Sequence, residues 1–340
     1  MCLIGATLGL SIGTHARGAA RAQSVRADAA APPANAPEVD DGLMAVRAPL
    51  RMLGPYPVLS LRFPDIAAPE RFVEQQKLTG EQGVSLDFVV DTAANVNTIN
   101  AKLATELSLE TVGFDEGGIS AGGALAGGAT YMLGGCQLND LPKEDRFAFV
   151  SDLTASALPV ASPSGAGLLG VGFLFAFPGG VEFFWGAPGA AAAGPPGAAD
   201  AAAAPSLTFY GDLSDTEGLA DGIADGLSAV PARQIESGLI CVTMRINGFE
   251  VPSLLDTGSP ITVLNAAAAE AAGIEMPQTS DGGSNPFAKA KAAMETAAAV
   301  ASGEVAMIGG VGGPVMLRKI PEKAPIALGD AELGSGRPYV

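Results

Sequence analysis

Residues 88–100 read FVVDTAANVNTIN, and residues 253–265 read SLLDTGSPITVLN. Each places an aspartate, Asp91 or Asp256, directly after an apolar run, Phe88–Val90 or Leu254–Leu255. A carboxylate there is costly to bury unless it is hydrogen-bonded or chemically needed. A lone Asp-Thr-Gly has an ordinary reading as an aspartate that caps a turn by accepting backbone N–H groups. Two in register are a different matter. DTAANVNTINAKLATELSL, from Asp91, lies over DTGSPITVLNAAAAEAAGI, from Asp256, without a gap. Thr92 meets Thr257 and Asn100 meets Asn265. Before each aspartate runs an apolar strand, Leu86–Val90 and Val251–Leu255, and after each comes an apolar patch, Val96–Ile99 and Ile261–Leu264. Asn100 and Asn265 then suit helix N-caps for Ala-rich helical stretches. Strand, aspartate turn, strand and capped helix therefore occur twice.

Composition narrows the chemistry. The chain has 340 residues, room for two domains of ordinary size. A net charge of −17 and a pI near 4.4 argue against a nucleic-acid partner, which needs a basic face. Cys2, Cys136 and Cys241 are too few and too scattered for a disulfide framework or a zinc site, and the only histidine is His15. Ser/His and Cys/His pairs and histidine-based metal sites are thereby disfavoured, and acid–base chemistry falls to carboxylates. No cofactor is expected. Two carboxyls at hydrogen-bonding distance cannot both ionise cheaply, so such a pair holds one proton between them and supplies a base and an acid at once.

At these residues the chain resembles the aspartic peptidase family, in its retropepsin-like or pepsin-like, two-lobed eukaryotic form of the plant or algal type. VVDTAAN and LLDTGSP match the family's two apolar residues followed by Asp-Thr-Gly-Ser/Ala. GGISAGGALAGGATYMLGG, 117–135, resembles the flap hairpin that closes over a peptide. GLLGVGFLFAF, 167–177, resembles the apolar-apolar-Gly strand beside the catalytic loop, with VEFFW and SLTFY following as a hairpin. LICVTMRINGFEVPSLLDTGSPITVLN resembles the opening strand, turn and catalytic loop of the second lobe, and IGGVGGPVML from Ile308 a second flap. The similarity covers about residues 84–185, 239–274 and 308–331.

The resemblance implies an all-β, two-lobed (double-psi) fold with short helices, and an endopeptidase acting on extended peptides. Asp91 and Asp256 would be the catalytic dyad. Thr92 and Thr257 would hold it across the lobe junction, and Ala93, Gly258 and Ser259 would tune it. Tyr131, Gly127 and Gly128 are candidate substrate contacts in the flap, Tyr131 equally an ordinary strand aromatic. The expected partner is a peptide or protein substrate of a monomeric enzyme. The competing reading is an inactive pseudopeptidase that binds peptides or a protein in the same cleft.

Three departures bear on activity. Ala93 puts a methyl where the family has glycine. Ala94 lacks the hydroxyl that Ser259 would offer its aspartate. No second apolar-apolar-Gly strand follows Asp256 before Val340, so the second lobe reads as C-terminally incomplete.

The domain plan is then a targeting peptide and disordered linker over 1–45, a first lobe over 46–212 with a disordered Pro/Ala insertion at 186–205, an acidic connector over 213–238, and a second lobe over 239–340. The apolar run Cys2–Ile12 followed by Arg17, Arg21 and Arg26, with no acid before Asp28, suits chloroplast import, with the thylakoid lumen as a possible destination. Secretion, or a mis-assigned start, are the alternatives. The uncharged stretch Leu153–Val181 is broken by prolines and glycines, and reads as buried strands and turns, with no integral membrane span. The acids of 211–230 do not fall at calcium-loop spacing. Trp185 is expected to pack in the first lobe.

Overall fold

The computed structural model describes residues 2–5, 10–12, 45–70, 72–73, 77, 80–120, 123–139, 150–158, 165–185, 204–211, 230–275, 286–310 and 313–340. Strands dominate it, in agreement with the all-β expectation. In chain order they begin with β1 (Cys2–Gly5), β2 (Leu10–Ile12), β3 (Ala45–Pro49), β4 (Arg51–Leu53), β5 (Tyr56–Phe63), β6 (Val84–Val90) and β7 (Thr98–Asn100). There follow β8 (Thr111–Ser120), β9 (Gly123–Leu138), β10 (Val150–Leu158), β11 (Gly167–Leu169), β12 (Gly180–Phe184) and β13 (Ser206–Tyr210). The remainder are β14 (Ala232–Gln234), β15 (Ile240–Ile246), β16 (Phe249–Asp256), β17 (Val263–Leu264), β18 (Val305–Gly310), β19 (Gly313–Arg318), β20 (Ala324–Leu328) and β21 (Ala331–Gly336). Helices α1 (Ala101–Glu106), α2 (Val171–Leu174) and α3 (Ala266–Ala271) are short, and α4 (Pro286–Ala301) fills much of the Ala-rich stretch after the second motif.

The first sheet runs β4-β5-β6-β11-β7-β10-β9-β8, and a further pairing of β5 with β9 closes β5, β6, β11, β7, β10 and β9 into a six-stranded barrel. In β6, VSLDFVV, buried and half-buried positions alternate strictly, the period of a strand with one face to the core. The barrel interior holds Phe63, Phe88, Ile99, Leu153 and Leu169, all fully buried. Phe173, Phe177 and Phe209 pack edge-on and tilted beside it, and Trp185 stacks on Phe183 in the same lobe, as expected. The second sheet runs β17-β1-β16-β15-β20-β21, with β14 on β15, around a separate core that includes Met244, Ile246, Val251, Leu264 and Ala269. Two cores make two lobes. A third sheet, β2-β12-β13-β3, pairs strands from both ends of the first 210 residues, and β18-β19 form a hairpin.

Both anticipated caps are present. The Asn100 side chain accepts from the Lys102 and Leu103 N–H groups (3.0 and 3.4 Å), and Asn265 accepts from the Ala268 N–H (2.8 Å). The Gly-rich 117–135 stretch lies in the antiparallel hairpin of β8 and β9, the GLL of 167–169 is a strand, and VEFF pairs with SLTFY. The uncharged 153–181 stretch contains most of β10 and all of β11 and α2. Among the described residues no helix is long and apolar enough to cross a membrane. Most of the 186–205 insertion and of the 213–238 connector lies outside the described residues.

One expectation needs correcting. No supporting strand for the second motif occurs within 239–340, but the second sheet has one nonetheless: β1, from the segment read as a targeting peptide, lies between β16 and β17. Strand order in space does not have to follow chain order, and hydrogen bonding of backbone to backbone accepts a segment from either end.

Phe88 sits at the centre of the first barrel with a T-shaped contact to Phe63 at 6.2 Å between ring centroids. Phe88→Ala is expected to cost roughly 3–5 kcal/mol in denaturant unfolding, from lost transfer energy and the cavity left behind.

Candidate active site

Each aspartate sits where its strand leaves the sheet. Asp91 follows β6, and its N–H donates to the Leu169 carbonyl of β11 (2.9 Å), so the strand beside the loop fixes where the turn begins. The turn is tightened by the Ala93 N–H, which donates to Asp91 Oδ1 (2.8 Å). On the far side the Val171 N–H donates to the Ala94 carbonyl (2.8 Å). Gly170 is required by this closeness: a Cβ there would stand 2.5 Å from the Ala94 carbonyl oxygen and 2.6 Å from that of Val96. Asp256 ends β16 in the same way.

The lobes are joined beneath the aspartates by a reciprocal set of bonds. The Thr92 N–H donates to Thr257 Oγ1 (3.1 Å), and the Thr257 N–H donates to Thr92 Oγ1 (3.0 Å). Each hydroxyl then donates to a carbonyl of the opposite lobe, Thr92 to Leu255 and Thr257 to Val90, both at 2.7 Å. All four bonds are buried, and every one crosses from one motif to the other. A threonine is suited to this because one hydroxyl accepts and donates at once.

That junction brings the two carboxyls together. A Cβ on Gly258 would lie 2.6 Å from Asp91 Cγ, so the second loop's backbone rests against the first loop's carboxylate and only glycine leaves room for it. Asp256 is 8% exposed, and its Oδ1 is buried with no hydrogen-bond partner among the described residues. Burial raises the Asp256 pKa well above the ordinary 3.8, the Asp91 charge raises it further, and the Gly258 and Ser259 N–H groups offset this in part. Burial also raises Asp91, offset by the Ala93 N–H, by the bond from Asp256 and by the Ala94 N–H. Both carboxyls are raised, so the pair holds one proton between them at pH values where a lone aspartate would be ionised.

The structure brings Asp91, Thr92, Ala93, Asp256, Thr257 and Gly258 into one site. Ala93 is accommodated: its methyl does not displace the N–H from Asp91. Ser259 is placed differently from the expectation. Its hydroxyl donates to the Ile261 carbonyl (2.8 Å) and so turns away from Asp256, because the following turn offers a nearer acceptor. The missing hydroxyl at Ala94 consequently makes no difference between the two carboxyls. Tyr131 is half-buried against the first core, on β9 between Thr111 and Ala155, and belongs with the strand aromatics. Gly127 and Gly128 approach the Asp115 and Ala157 carbonyl oxygens closely, which marks them as packing positions of the hairpin.

Sequence reading missed Asn97. It is buried; its Oδ1 accepts from the Gly170 N–H (3.0 Å), its Nδ2 donates to the Thr154 carbonyl (3.2 Å), and its carbonyl accepts from the Ser156 N–H (2.9 Å). One side chain thus ties the first loop to β10 and β11. Its only signal in sequence is a polar residue inside the apolar patch Val96–Ile99. Among the described residues no three His, Cys, Asp or Glu side chains cluster as a metal site would need. Cys136 and Cys241 are free and buried, the Cys136 thiol pushed up to about 12 by burial.

No known protein family matches the chain by its sequence profile, and no curated protein matches it.

Two outcomes are expected of the junction. Thr92→Val or Thr257→Val leaves a buried N–H and a buried carbonyl unpaired, and should destabilise by about 2–4 kcal/mol in denaturant unfolding, the double variant costing less than the sum because both act on one junction. The raised carboxyls also predict a pH dependence. Their contribution to stability is complete below the ordinary value of 3.8 and is lost as pH rises through the folded values. Asp256→Asn should therefore raise the melting temperature at neutral pH relative to wild type, with the difference shrinking as the solution is acidified.

Proposed function

We propose that this chain is an aspartic endopeptidase of the two-lobed fold, which hydrolyses peptide bonds through a water activated between Asp91 and Asp256. The observation that carries this reading is the pairing of a half-buried Asp91 with a buried Asp256, one from each copy of a repeated loop, held together by the Thr92–Thr257 bonds beneath them. A surface turn aspartate needs neither the burial nor the lock. Ionised Asp91 takes a proton from the water as its oxygen attacks the scissile carbonyl carbon, and protonated Asp256 donates to the carbonyl oxygen. The tetrahedral adduct, a gem-diol, then collapses: the Asp91 carboxyl gives its proton to the departing amine nitrogen, the C–N bond breaks, and the Asp256 carboxylate takes back a proton from one hydroxyl as the C=O bond re-forms, which restores the starting protonation of the pair.

A peptide in extended form suits the hairpin β8–β9, whose strands can hydrogen-bond to an added one. The second hairpin, β18–β19, offers the same kind of edge from the other lobe.

The test is cleavage of a fluorogenic peptide library by the full chain from about pH 3 to 8, beside Asp91→Asn and Asp256→Asn. Rates should fall by about a thousandfold or more in either variant. Folded wild-type protein that binds peptides without cleaving them would replace this reading with the pseudopeptidase, and activity unchanged in both variants would remove the dyad altogether.

A further inference from the structure

In the first lobe β11 holds the aspartate loop. It pairs parallel with β6 (Gly167↔Phe88, Leu168↔Val89, Leu169↔Val90) and antiparallel with β7 (Gly167↔Ile99, Leu168↔Thr98). In the second lobe β1 pairs parallel with β16 (Cys2↔Ser253, Leu3↔Leu254, Ile4↔Leu255) and antiparallel with β17 (Cys2↔Leu264, Leu3↔Val263). Ser253, Leu254 and Leu255 are the repeat counterparts of Phe88, Val89 and Val90, and Val263 and Leu264 those of Thr98 and Ile99, at the 165-residue offset that separates Thr92 from Thr257. All five pairings therefore agree position for position. The sequences agree as well: GLLG at 167–170 against CLIG at 2–5, both apolar-apolar-Gly. Gly5 falls opposite Asp256 in the register, in the place that Gly170 takes beside the first loop.

The next strands continue the correspondence. After β11 the chain passes through α2 to β12, and after β1 it passes to β2; β2 and β12 pair antiparallel with each other (Val181↔Ile12, Phe183↔Leu10). On the other flank of β17, Tyr339 bridges Val263 in parallel, as Ser156 of β10 pairs in parallel with Thr98. The Tyr339 N–H donates to the Thr262 carbonyl (2.9 Å), as the Ser156 N–H donates to that of Asn97. The second loop is thus framed on one side by a strand equivalent to β11 and on the other by a single bridging residue, Tyr339, in the place of β10, contributed in a different chain order.

We propose that Cys2–Gly5 is the positioning strand of the second aspartate loop, and that the strands Cys2–Gly5 and Leu10–Ile12 belong to the working body of the protein. The catalytic part of this inference rests on the peptidase reading above; the structural part does not. A central strand flanked on both sides cannot lose its N–H groups to proline without breaking the ladder. Gly5 stands in register opposite Asp256, the place that in the first lobe is held by Gly170, where a Cβ would crowd the Ala94 and Val96 carbonyls.

The test is amide hydrogen exchange on the full chain, Ile4→Pro, and a variant with residues 2–12 deleted and grafted after Val340 through a Gly/Ser linker. In the first lobe the chain itself runs from β10 to β11 over 159–166, so a short linker has a precedent. Residues 2–5 should be protected in wild type. Ile4→Pro should lose protection at 253–256 while β5 and β6 keep theirs, and the graft should restore it. Exchange of residues 2–5 at free-chain rates, or unchanged protection at 253–256 in Ile4→Pro, overturns the inference. Gly5→Ala separates positioning from mere stability: kcat on the library should fall by about a hundredfold with KM little changed, and its pH profile should shift. Loss of protection in Ile4→Pro without peptide cleavage by wild type would uphold the strand and sink only the peptidase reading; Gly5→Ala with wild-type kcat and pH profile would confine β1 to architecture and overturn its positioning role.

Discussion

Everything at the centre of this molecule depends on two threonine hydroxyls used twice. Thr92 and Thr257 each accept an N–H from the opposite loop and each donate to a carbonyl of the opposite lobe. Four buried bonds then fix two loops that have no covalent reason to meet. Each bond contributes little net stability, but leaving its partners unpaired inside the protein is expensive, so the junction has one geometry or none. The position of each carboxyl follows from that, because Asp91 and Asp256 immediately precede the threonines.

Holding two carboxyls in a buried place has a cost, and the protein distributes it unequally. Asp91 has the Ala93 N–H directly on Oδ1, whereas Asp256 keeps a buried Oδ1 without a partner among the described residues. Burial and the neighbouring Asp91 charge raise the Asp256 carboxyl. The same arrangement that destabilises the fold at neutral pH leaves two raised carboxyls sharing a proton, the condition that the proposed peptidase chemistry needs. The hydroxyl of Ser259 takes no part, since the Ile261 carbonyl claims it.

The supports of the loops are less symmetric than the loops. The first is held by β11 and by Asn97, which satisfies groups on β10 and at Gly170. The second has Thr262 in the place of Asn97 and takes its flanking strand from the start of the chain. Its core is built of smaller side chains than the phenylalanine-rich first barrel. Equal loops on unequal scaffolds are possible because the loop's needs are local: a strand on each side, small residues where backbones touch, and a partner threonine.

The repeat of strand, aspartate, threonine and capped helix was legible from sequence, because each part has a local cause: alternating burial in β6, an asparagine that accepts N–H groups at a helix start, a glycine where backbone meets carboxylate. The candidate site, Asp91 and Asp256 with their threonines, was legible for the same reason. Asn97 was not, since its partners at Thr154 and Gly170 are distant in sequence. The hydroxyl of Ser259 could not be read either, because one rotamer chooses between two nearby acceptors. Nor could the sequence reveal where the second loop finds its supporting strand: CLIG at residues 2–5 looks like any apolar leader until backbone pairing with Ser253–Asp256 and Val263–Leu264 gives it a place. The sequence alone determined the two copies of the motif and the residue types that their chemistry needs. Tertiary structure decided which strands frame them and how far burial raises the two carboxyls, because hydrogen-bond pairing and burial are properties of residues that meet in space.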